Sequence, residues 1–548
     1  MIRKIKLSLL TLVALIVTSC SLDLLDNPNA VTARNTDINY LLNQIQLSYA
    51  THFNQMSDPG MRLTRMLNSG SAIYDNAVSP ISWDGAWNTA YAGIMTDVKT
   101  LIPLAEAQNL SVHVGIARTL RASVLINLVD AFGDVPYSEA IDLANFNPKV
   151  DGGASVYAAA LAELDGAITN FAATAAALPA EDMYYGGSAA NWTRYANTLK
   201  LKMALNRRLI DKAGATSAIN ALIAGGNLIS TQAQNFRFRF GSNLNNPDTR
   251  HPRYAGQYSP IGGGDYQSNS YMGTLYNAKG FPDPRIRYYF YRPVIVNSTN
   301  VNEIRCITNQ KPAHYKESDT FCYPTTVGYW GRDHLSNEGI PPDGLVRTAW
   351  GVYPAGGLYD NNAARPIGLG AGAGGAGIHP IMMASFVDFM LAESALTLGT
   401  TGTPRAYLKA GIEKSMADVR SLALSTNEAG KINAFETAQG IVWAAEVTKY
   451  VNKVLADYDA ATTDDARLNI IGTEYWIALF GNGIESYNLY RRTGKPANQQ
   501  PALEANPGPF ARSLYYPTSF VTRNINAVQK ANAALPVFWD NNPTGFLK

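Results

Sequence analysis

The sequence is poor in charge and in cysteine. Charged residues make up 16% of the 548 positions, and Cys occurs three times. Basic and acidic residues nearly cancel, at 45 and 43. Because nucleic-acid binding depends on an excess of Lys and Arg that neutralises phosphates, this balance gives no electrostatic case for a nucleic-acid ligand. Aromatic side chains are abundant instead, with 30 Tyr and 8 Trp, which favours neutral, hydroxyl-rich or stacking ligands.

Catalytic and cofactor motifs are also lacking. The six His residues are scattered, and neither H-E-x-x-H nor a Cys pair at zinc spacing occurs. No G-x-S-x-G nucleophile elbow is present. Residues 370–375 satisfy G-x-G-x-x-G, but no βαβ unit surrounds them, so we interpret them as a surface loop. We predict no cofactor and no transition metal; calcium held by loop oxygen atoms stays open.

The first twenty residues have the features of an export signal. Basic residues open the chain, and an apolar run at 7–17 follows that is too short to span a bilayer. Small polar residues then lead directly to Cys20, in a context that resembles a bacterial lipobox. We predict that residues 1–19 are a lipoprotein signal peptide, that Cys20 is lipidated, and that residues 20–36 form an extended tether. The alternative is an ordinary signal peptide that happens to contain a cysteine.

The two other cysteines form an even pair. With Cys20 occupied by lipid, Cys306 and Cys322 are left in a compartment outside the cytoplasm, where disulfides persist. A bond between them would close a loop of about 15 residues and stabilise the fold by ~3 kcal/mol on chain-entropy grounds. We predict this disulfide, and two free thiols are the alternative.

Apolar periodicity predicts a mostly helical chain with an irregular middle. Apolar residues recur every four positions from Ile116 to Phe132, which is the spacing of one helix face. Helix pairs of similar length suggest stacked hairpins of the tetratricopeptide kind, although no consensus of about 34 residues occurs. Residues at about 227–377 are rich in Gly, Pro, Asn and aromatics, which predicts a large loop-rich insertion. The predicted helices lie at about 37–53, 82–98, 111–132, 153–173, 190–212, 379–398, 404–424, 437–458, 464–480 and 519–533.

Six separated stretches carry motifs that can be compared with known families. They are Leu-Asp-Asn-Pro-Asn at 25–29, Phe-Gly-Asp-Val-Pro-Tyr at 132–137, Asn191-Trp192 through Leu201, Phe-Pro-Asp-Pro-Arg at 281–285, Phe389 to Glu393, and Tyr-Arg-Arg-Thr-Gly at 490–494. In this order, and along nearly the whole mature chain, they resemble the SusD/RagB family, the outer-membrane nutrient-binding lipoproteins of Bacteroidetes.

The resemblance implies a particular architecture and partner. The fold would be a right-handed bundle of helix pairs, four of them tetratricopeptide-like, with a loop-rich ligand face. The partner would be a SusC-like TonB-dependent transporter, over which the protein sits as a lid. Starch is not implied as the ligand, because the Asn-Pro-Asn start is most similar to a branch described only as nutrient-binding.

Aromatic residues among Gly and Pro are the candidate ligand contacts. Trp83 lies at the start of a predicted helix, and Tyr329, Trp330, Trp350 and Tyr353 lie in the irregular middle. Flat rings exposed on loops can stack on sugar rings or on peptide side chains. By region only, Trp83, Trp330 and Trp350 also resemble the aromatic ligand platform of the family. The alternative is that each ring is buried and holds the insertion together.

Glu393 is an exception on an apolar helix face. It continues the stripe formed by Phe386 and Phe389, and a carboxylate buried there needs a cation or hydrogen bonds. We predict an ion pair with Arg491 or Arg492. The alternative is a catalytic acid, but the sequence places no second carboxylate beside it to complete an acid–base pair.

These inferences predict a non-enzymatic binding protein. It would be a single helical domain over 37–548, anchored by lipid in the outer membrane and facing the cell exterior. It would capture an oligosaccharide or an oligopeptide and deliver it to the SusC-like transporter; the abundant Tyr and low charge favour glycans slightly. The alternatives are a surface-anchored glycan hydrolase or esterase, and a tetratricopeptide-like scaffold that binds only protein.

Overall fold

The structure is a computed structural model that describes residues 37–142, 144–339 and 341–548. The predicted signal peptide at 1–19, the lipidation site Cys20 and the tether at 20–36 lie outside the described residues. Within them, helices dominate both ends of the chain, and the residues between about 227 and 377 carry only short elements. The predicted mostly helical fold with an irregular insertion is confirmed.

The helices and strands have the following bounds. The longer helices are Ile38–Leu63, Thr96–Ala107, Ser111–Phe132, Gly153–Ala172, Ala189–Asn206, Lys212–Gly225, Ala384–Leu398, Pro404–Leu424, Ala429–Gln439, Trp443–Ala460, Asp464–Ala478 and Gly483–Thr493. The shorter ones are Tyr74–Ala77, Asp84–Asn88, Pro252–Gln257, Asn269–Asn277, Ile286–Tyr289 and Thr518–Arg523, with a π-helix at Thr89–Met95 and 3₁₀ turns at Pro80–Trp83, Arg207–Leu209, Gln232–Gln234 and Arg305–Thr308. Strand Phe236–Arg239 pairs antiparallel with Ile378–Met382, and Phe290–Tyr291 pairs antiparallel with Ala349–Trp350.

Helix Ser111–Phe132 lies at the centre of the first group of hairpins. It packs against Thr96–Ala107 on one side and Gly153–Ala172 on the other. Almost every one of its residues is buried, so the apolar ridge read from the sequence is one side of a helix that is covered all round. This helix is also long and apolar enough to cross a membrane, but 89% of its most apolar window is buried inside the protein. It is therefore a core helix.

Several helix boundaries differ from the sequence prediction. Strand Ile378–Met382 overlaps the start of the predicted helix at 379–398, which begins only at Ala384, and helix Lys212–Gly225 was not predicted. The first helix is capped by Asp37 as expected but continues through the buried Pro59 to Leu63, and its neighbour Gly60 packs directly on Gly483. The predicted helix at 437–458 is two helices, separated where Gly440 takes a left-handed conformation. The predicted helix at 519–533 ends at Arg523. There the Asn524 side chain donates to the carbonyl of Pro148 (2.8 Å), which holds the following segment as a loop.

The G-x-G-x-x-G segment at 370–375 forms turns, as predicted, with no helix after it. It is less exposed than a surface loop, because Gly372 packs directly on the backbone of Gly357. A Cβ atom on Gly372 would lie 2.3 Å from the Gly357 carbonyl carbon, and its φ is +69°. Both constraints require glycine. Gly372 therefore serves close backbone packing, and the strand that follows the segment offers no helix N-terminus for a phosphate.

Glu393 is paired as predicted, with one partner that the sequence did not indicate. Its carboxylate receives two hydrogen bonds from Arg492, at 2.7 and 2.8 Å, and one from Arg208 at 3.0 Å. Arg491 instead donates to Asn488 and to the backbone of Arg512. Burial alone raises the pKa of Glu393, but the two guanidinium groups outweigh it and lower the pKa below its usual value. The carboxylate is therefore a structural ion-pair partner.

We predict that Glu393→Gln lowers the free energy of unfolding by about 3–5 kcal/mol, because it leaves a buried guanidinium without its counter-charge. Urea unfolding followed by circular dichroism measures this. The pKa of Glu393 is lower in the folded state than the unfolded value of 4.5. Its contribution is therefore fully present above that pH and is lost as the pH falls through the folded pKa. The difference in the free energy of unfolding between wild type and variant should therefore become smaller at acidic pH.

The matched control is Glu413→Gln, which breaks the exposed ion pair with Lys409 (2.6 Å). We expect a change of at most about 0.5 kcal/mol there. Equal, small losses in the two variants would show that the Glu393 cluster does not hold the helices together.

Candidate functional site

A polar pocket of about 280 Å³ lies in the loop-rich insertion. We call it the disulfide pocket, because Cys306 of the Cys306–Cys322 pair forms part of its wall. Segments that are far apart in the sequence line it: Asn269, Cys306, Asn309, Gln310, Pro312, Phe321, Trp330, Gly331, Arg332, Asp333, Ser336, Glu338, Leu503 and Glu504. The lining therefore combines aromatic rings, side-chain amides and charges of both signs.

Two larger depressions have different chemistry. An apolar groove of about 620 Å³ runs between the helices that carry Tyr157 and Met203, and Phe538 lies against it. An open polar cleft of about 610 Å³ follows residues 314–320 and 497–501 and has no Phe, Tyr or Trp in its lining. The disulfide pocket is the one of these three that offers both aromatic surface and polar groups without partners, which is the usual character of a ligand site.

The disulfide holds the pocket wall together. The Sγ atoms of Cys306 and Cys322 are 2.14 Å apart, so the predicted pairing is present. With Ile304 and Trp330, the two cysteines form a small hydrophobic cluster that is separate from the main core. A cluster of this size buries little apolar area, so the covalent link supplies stability that packing alone does not.

Two pocket side chains are placed by an extended segment. The backbone N–H of Thr348 donates to the carbonyl oxygen of Trp330 at 2.9 Å. The backbone N–H of Arg332 donates to the carbonyl oxygen of Gln267, also at 2.9 Å. Side chains two apart on extended backbone point to the same side, so both Trp330 and Arg332 line the pocket. Gly331 between them lies flat on Gln267, where a Cβ atom would be 1.8 Å from the carbonyl oxygen.

Asp333 connects the pocket floor to three parts of the chain. Its carboxylate accepts hydrogen bonds from the Cys322 backbone N–H (2.8 Å), from Asn269 (3.2 Å) and from Gln500 (2.8 Å). Burial raises the pKa of Asp333, and these three donors offset part of that shift. Because protein donors already occupy its oxygens, Asp333 fixes the shape of the pocket.

Two donors in the pocket wall lack partners. The Nε1 atom of Trp330 and the Nε atom of Arg332 have no hydrogen-bond acceptor among the described residues. Both side chains are buried, and an unsatisfied buried N–H group is costly. A ligand oxygen that reached them would form bonds without competition from bulk water.

The structure corrects the expectation that the candidate aromatics stand exposed. Trp83, Tyr329, Trp330, Trp350 and Tyr353 are all at most 5% exposed. Four of them belong to the main hydrophobic core; Trp350, for example, packs on Phe480 with ring centroids 4.8 Å apart. Trp330 alone of the five lines the disulfide pocket. These rings are buried, as the alternative interpretation expected.

The sequence did not point to the polar members of the pocket. Arg332, Asp333, Asn309, Glu338 and Glu504 are polar residues in irregular segments, without a motif or a period. Their positions in the sequence were the one indication of the site. Arg332 lies two residues after Trp330, and Cys306 of the predicted disulfide lies in the same pocket wall. The residues that flank the two cysteines in the sequence, such as Asn309 and Phe321, form part of the site.

Among the described residues, no group of three or more His, Cys, Asp or Glu side chains is arranged to hold a metal ion. Calcium held by loop oxygen atoms stays open, as it did from the sequence.

Helical hairpins that carry a loop-rich insertion with a polar pocket define the fold class of this protein. Residues 28–517 match the sequence profile of the SusD-like family described as "starch-binding associating with outer membrane". The chain therefore belongs to the SusD-like family.

Solved structures show the same fold. A chitin-binding protein superposes with a TM-score of 0.65 at 19% identity, covering 92% of this chain and 100% of that one. A SusD homologue from Bacteroides fragilis NCTC 9343 gives 0.65 at 19% identity over 93% and 100%. A chitin-binding SusD homologue from Flavobacterium johnsoniae gives 0.63 at 19% identity over 92% and 99%. No curated protein sequence matches the chain.

We predict that the double variant Cys306→Ser, Cys322→Ser loosens the pocket wall while the helical bundle stays folded. The closed loop spans 16 positions, and losing its constraint costs about 3 kcal/mol on chain-entropy grounds. Limited proteolysis should cut between 306 and 322 much faster than in wild type, with an unchanged helical circular dichroism spectrum. Equal cleavage rates in the two proteins would show that the bond does not hold this wall.

Proposed function

We propose that this protein is a cell-surface lipoprotein that captures an oligosaccharide in the disulfide pocket and delivers it to a SusC-like TonB-dependent outer-membrane transporter. The observation that carries the proposal is the pocket itself, with its aromatic wall and its unpaired donors on Trp330 and Arg332. Membership of the SusD-like family supports it. Two similar structures that are described as chitin-binding also support a glycan as the ligand.

The lining suits a sugar because sugars offer many hydroxyl groups that both donate and accept. The Asn309 and Gln310 amides can do the same, and the Glu338 and Glu504 carboxylates accept from hydroxyls. Phe321 and Trp330 provide apolar surface for the C–H face of a sugar ring. An oligopeptide remains the alternative cargo, and an array that carries both glycans and peptides separates the two.

We propose capture without hydrolysis. A hydrolase would need two carboxylates placed for acid and base work. The most buried carboxylate of the pocket, Asp333, already accepts three hydrogen bonds from protein donors. The hydrolase or esterase alternative predicts that bound glycan is cleaved, so mass spectrometry of the glycan after incubation with the protein distinguishes the two. The scaffold alternative predicts that no soluble glycan or peptide binds.

Delivery to a transporter and anchoring by lipid rest on the family and on the sequence around Cys20. In this proposal the lipidated Cys20 and the tether at 20–36 keep the folded body at the outer membrane, on its external side. The body can then swing as a lid over the barrel without being lost from the cell.

We predict that Trp330→Phe raises the Kd for glycan by a factor of about two to ten. The change removes the unpaired N–H and keeps most of the packing, and a neutral hydrogen bond is worth about 0.5–1.5 kcal/mol. Calorimetric titration with the tightest glycan from the array measures it. Trp443→Phe, on a helix outside the pocket, is the control and should bind as wild type does. Unchanged affinity in Trp330→Phe would place the ligand elsewhere.

We predict that Cys20→Ala reduces both membrane retention and nutrient uptake, because the change removes the acylated thiol. Glycan binding by the purified variant should equal that of wild type. Cell fractionation and uptake of labelled glycan measure the two effects. Uptake at the wild-type rate would mean that the anchor is dispensable.

A further inference from the structure

The lining of the disulfide pocket has more negative than positive charge. Among the described residues that line it, Arg332 is the one cation, whereas Asp333, Glu338 and Glu504 are carboxylates. No Lys, Arg or His nitrogen of the described chain lies within 4.0 Å of any of these three carboxylates. The pocket wall therefore contains negative charges that have no counter-ion in the part of the chain that the structure describes.

Arg332 interacts with a different set of groups beside the pocket. Its guanidinium lies 4.0 Å from the centroid of the Tyr266 ring, and its Nη2 donates to the carbonyl oxygen of Gly339 at 2.6 Å. The Tyr266 hydroxyl donates to both oxygens of Asp343, at 3.0 and 2.8 Å, and Arg347 forms an ion pair with Asp343 at 3.8 Å. Burial raises the pKa of Asp343, and Arg347, the Tyr266 hydroxyl and Arg332 offset part of that shift. Arg347 and Asp343 cancel in charge, so the negative excess of the lining remains.

Glu338 is the carboxylate that is both accessible and partly shielded from water. It is half-buried in the pocket wall, and its Oε1 accepts one hydrogen bond, from the Asn309 amide at 3.3 Å. The exposed Arg305 donates to the backbone carbonyl of Glu338 at 2.9 Å and forms no ion pair with its carboxylate. Glu504 is exposed, so water and salt screen its charge more strongly. A ligand cation would therefore find its best-placed partner in Glu338.

Asp333 adds a negative charge that its hydrogen bonds do not cancel. The side chain is 4% exposed, and its donors are the Cys322 backbone N–H, the Asn269 amide and the Gln500 amide, all of them neutral. Burial raises the pKa of Asp333, the three donors lower it, and the negative charge of Glu338 raises it further. The two carboxylates therefore repel each other through a wall of low dielectric. A cation in the pocket would reduce that repulsion.

We propose that the disulfide pocket selects oligosaccharides that contain an amino sugar with a free ammonium group, such as glucosamine, and that Glu338 binds this group. The inference rests on the proposed glycan capture and specifies the class of glycan. An ammonium group has a positive charge and three N–H donors, so it suits a carboxylate that lacks a counter-ion. The Asn309 and Gln310 amides contact hydroxyls of the same oligosaccharide, and the half-buried Phe321 ring packs on the C–H face of a sugar unit.

The first test needs no variant. Chitosan oligomers and cello-oligosaccharides of equal length are titrated into the purified full-length chain; they share one linkage and differ only in an ammonium group or a hydroxyl group on each ring. N-acetylated chito-oligosaccharides and an oligolysine peptide complete the panel. Below the pKa of the sugar amine, we expect the chitosan oligomer to bind about tenfold or more tighter than the cello-oligosaccharide, because a charge-assisted hydrogen bond replaces a neutral one. This preference should become smaller at high salt and above the pKa of the sugar amine.

Each other outcome overturns a defined part of the proposal. If the neutral oligomers bind as tightly as chitosan oligomers, or if they alone bind, the amino-sugar class is wrong and glycan capture stands. If oligolysine binds as tightly as the chitosan oligomer, the pocket recognises ammonium groups without regard to sugar, and the class is again wrong. If no glycan binds, the proposed function fails and this inference fails with it.

Glu338→Gln tests the residue, because it removes the charge and keeps the shape of the side chain. We expect it to weaken binding of the chitosan oligomer by about tenfold and to leave binding of the cello-oligosaccharide within about twofold. Glu338→Asp keeps the charge on a shorter side chain and should fall between Gln and wild type. The control is Glu413→Gln, on helix Pro404–Leu424 outside the pocket, which should bind as wild type does. If Glu338→Gln folds, as judged by its circular dichroism spectrum, and retains full preference for the chitosan oligomer, Glu338 is not the ammonium site.

Discussion

The fold depends on the direct contact of two helices at Gly60 and Gly483. A Cβ atom on Gly60 would lie 1.9 Å from the Gly483 carbonyl oxygen, and one on Gly483 would lie 1.8 Å from the Ser57 carbonyl oxygen. The Gly483 N–H also donates to Ser57 Oγ at 2.7 Å. Only glycine permits this approach of backbone to backbone. It allows helix Gly483–Thr493 to run through the interior, where all eleven of its residues are buried.

A helix buried on every side brings its polar residues into the core, and the rest of the bundle is arranged to meet them. Arg492 pairs with Glu393, and Glu485 pairs with Lys202 at 2.6 Å. Asp130 accepts from Asn488 at 2.8 Å. Such buried pairs add little net stability compared with apolar packing, but they tolerate few other arrangements. We interpret them as the contacts that set how the N-terminal hairpins and the C-terminal helices dock on one another.

The sequence predicted those features that depend on local spacing. The apolar period from Ile116 to Phe132 gave a core helix, and the position of Glu393 on an apolar stripe gave a buried ion pair. The sequence prediction failed where the burial of a residue depends on residues far away in the sequence. Trp350 lies among Gly and Pro, which suggested exposure, but the residue that covers it, Phe480, is far along the sequence. Local composition predicts that a segment is a loop, but it does not predict which residues pack on that loop.

The same reasoning explains why the sequence indicated only Trp330 and the disulfide of the candidate site. The disulfide pocket stands on a small cluster of Ile304, Cys306, Cys322 and Trp330 outside the main core. Its shape depends on a covalent bond and on the hydrogen bonds of Asp333, and its small cluster is separate from the core that fixes the bundle. A site supported in this way can change its lining without disturbing the helices. A shared fold at 19% identity therefore does not determine which ligand this pocket takes.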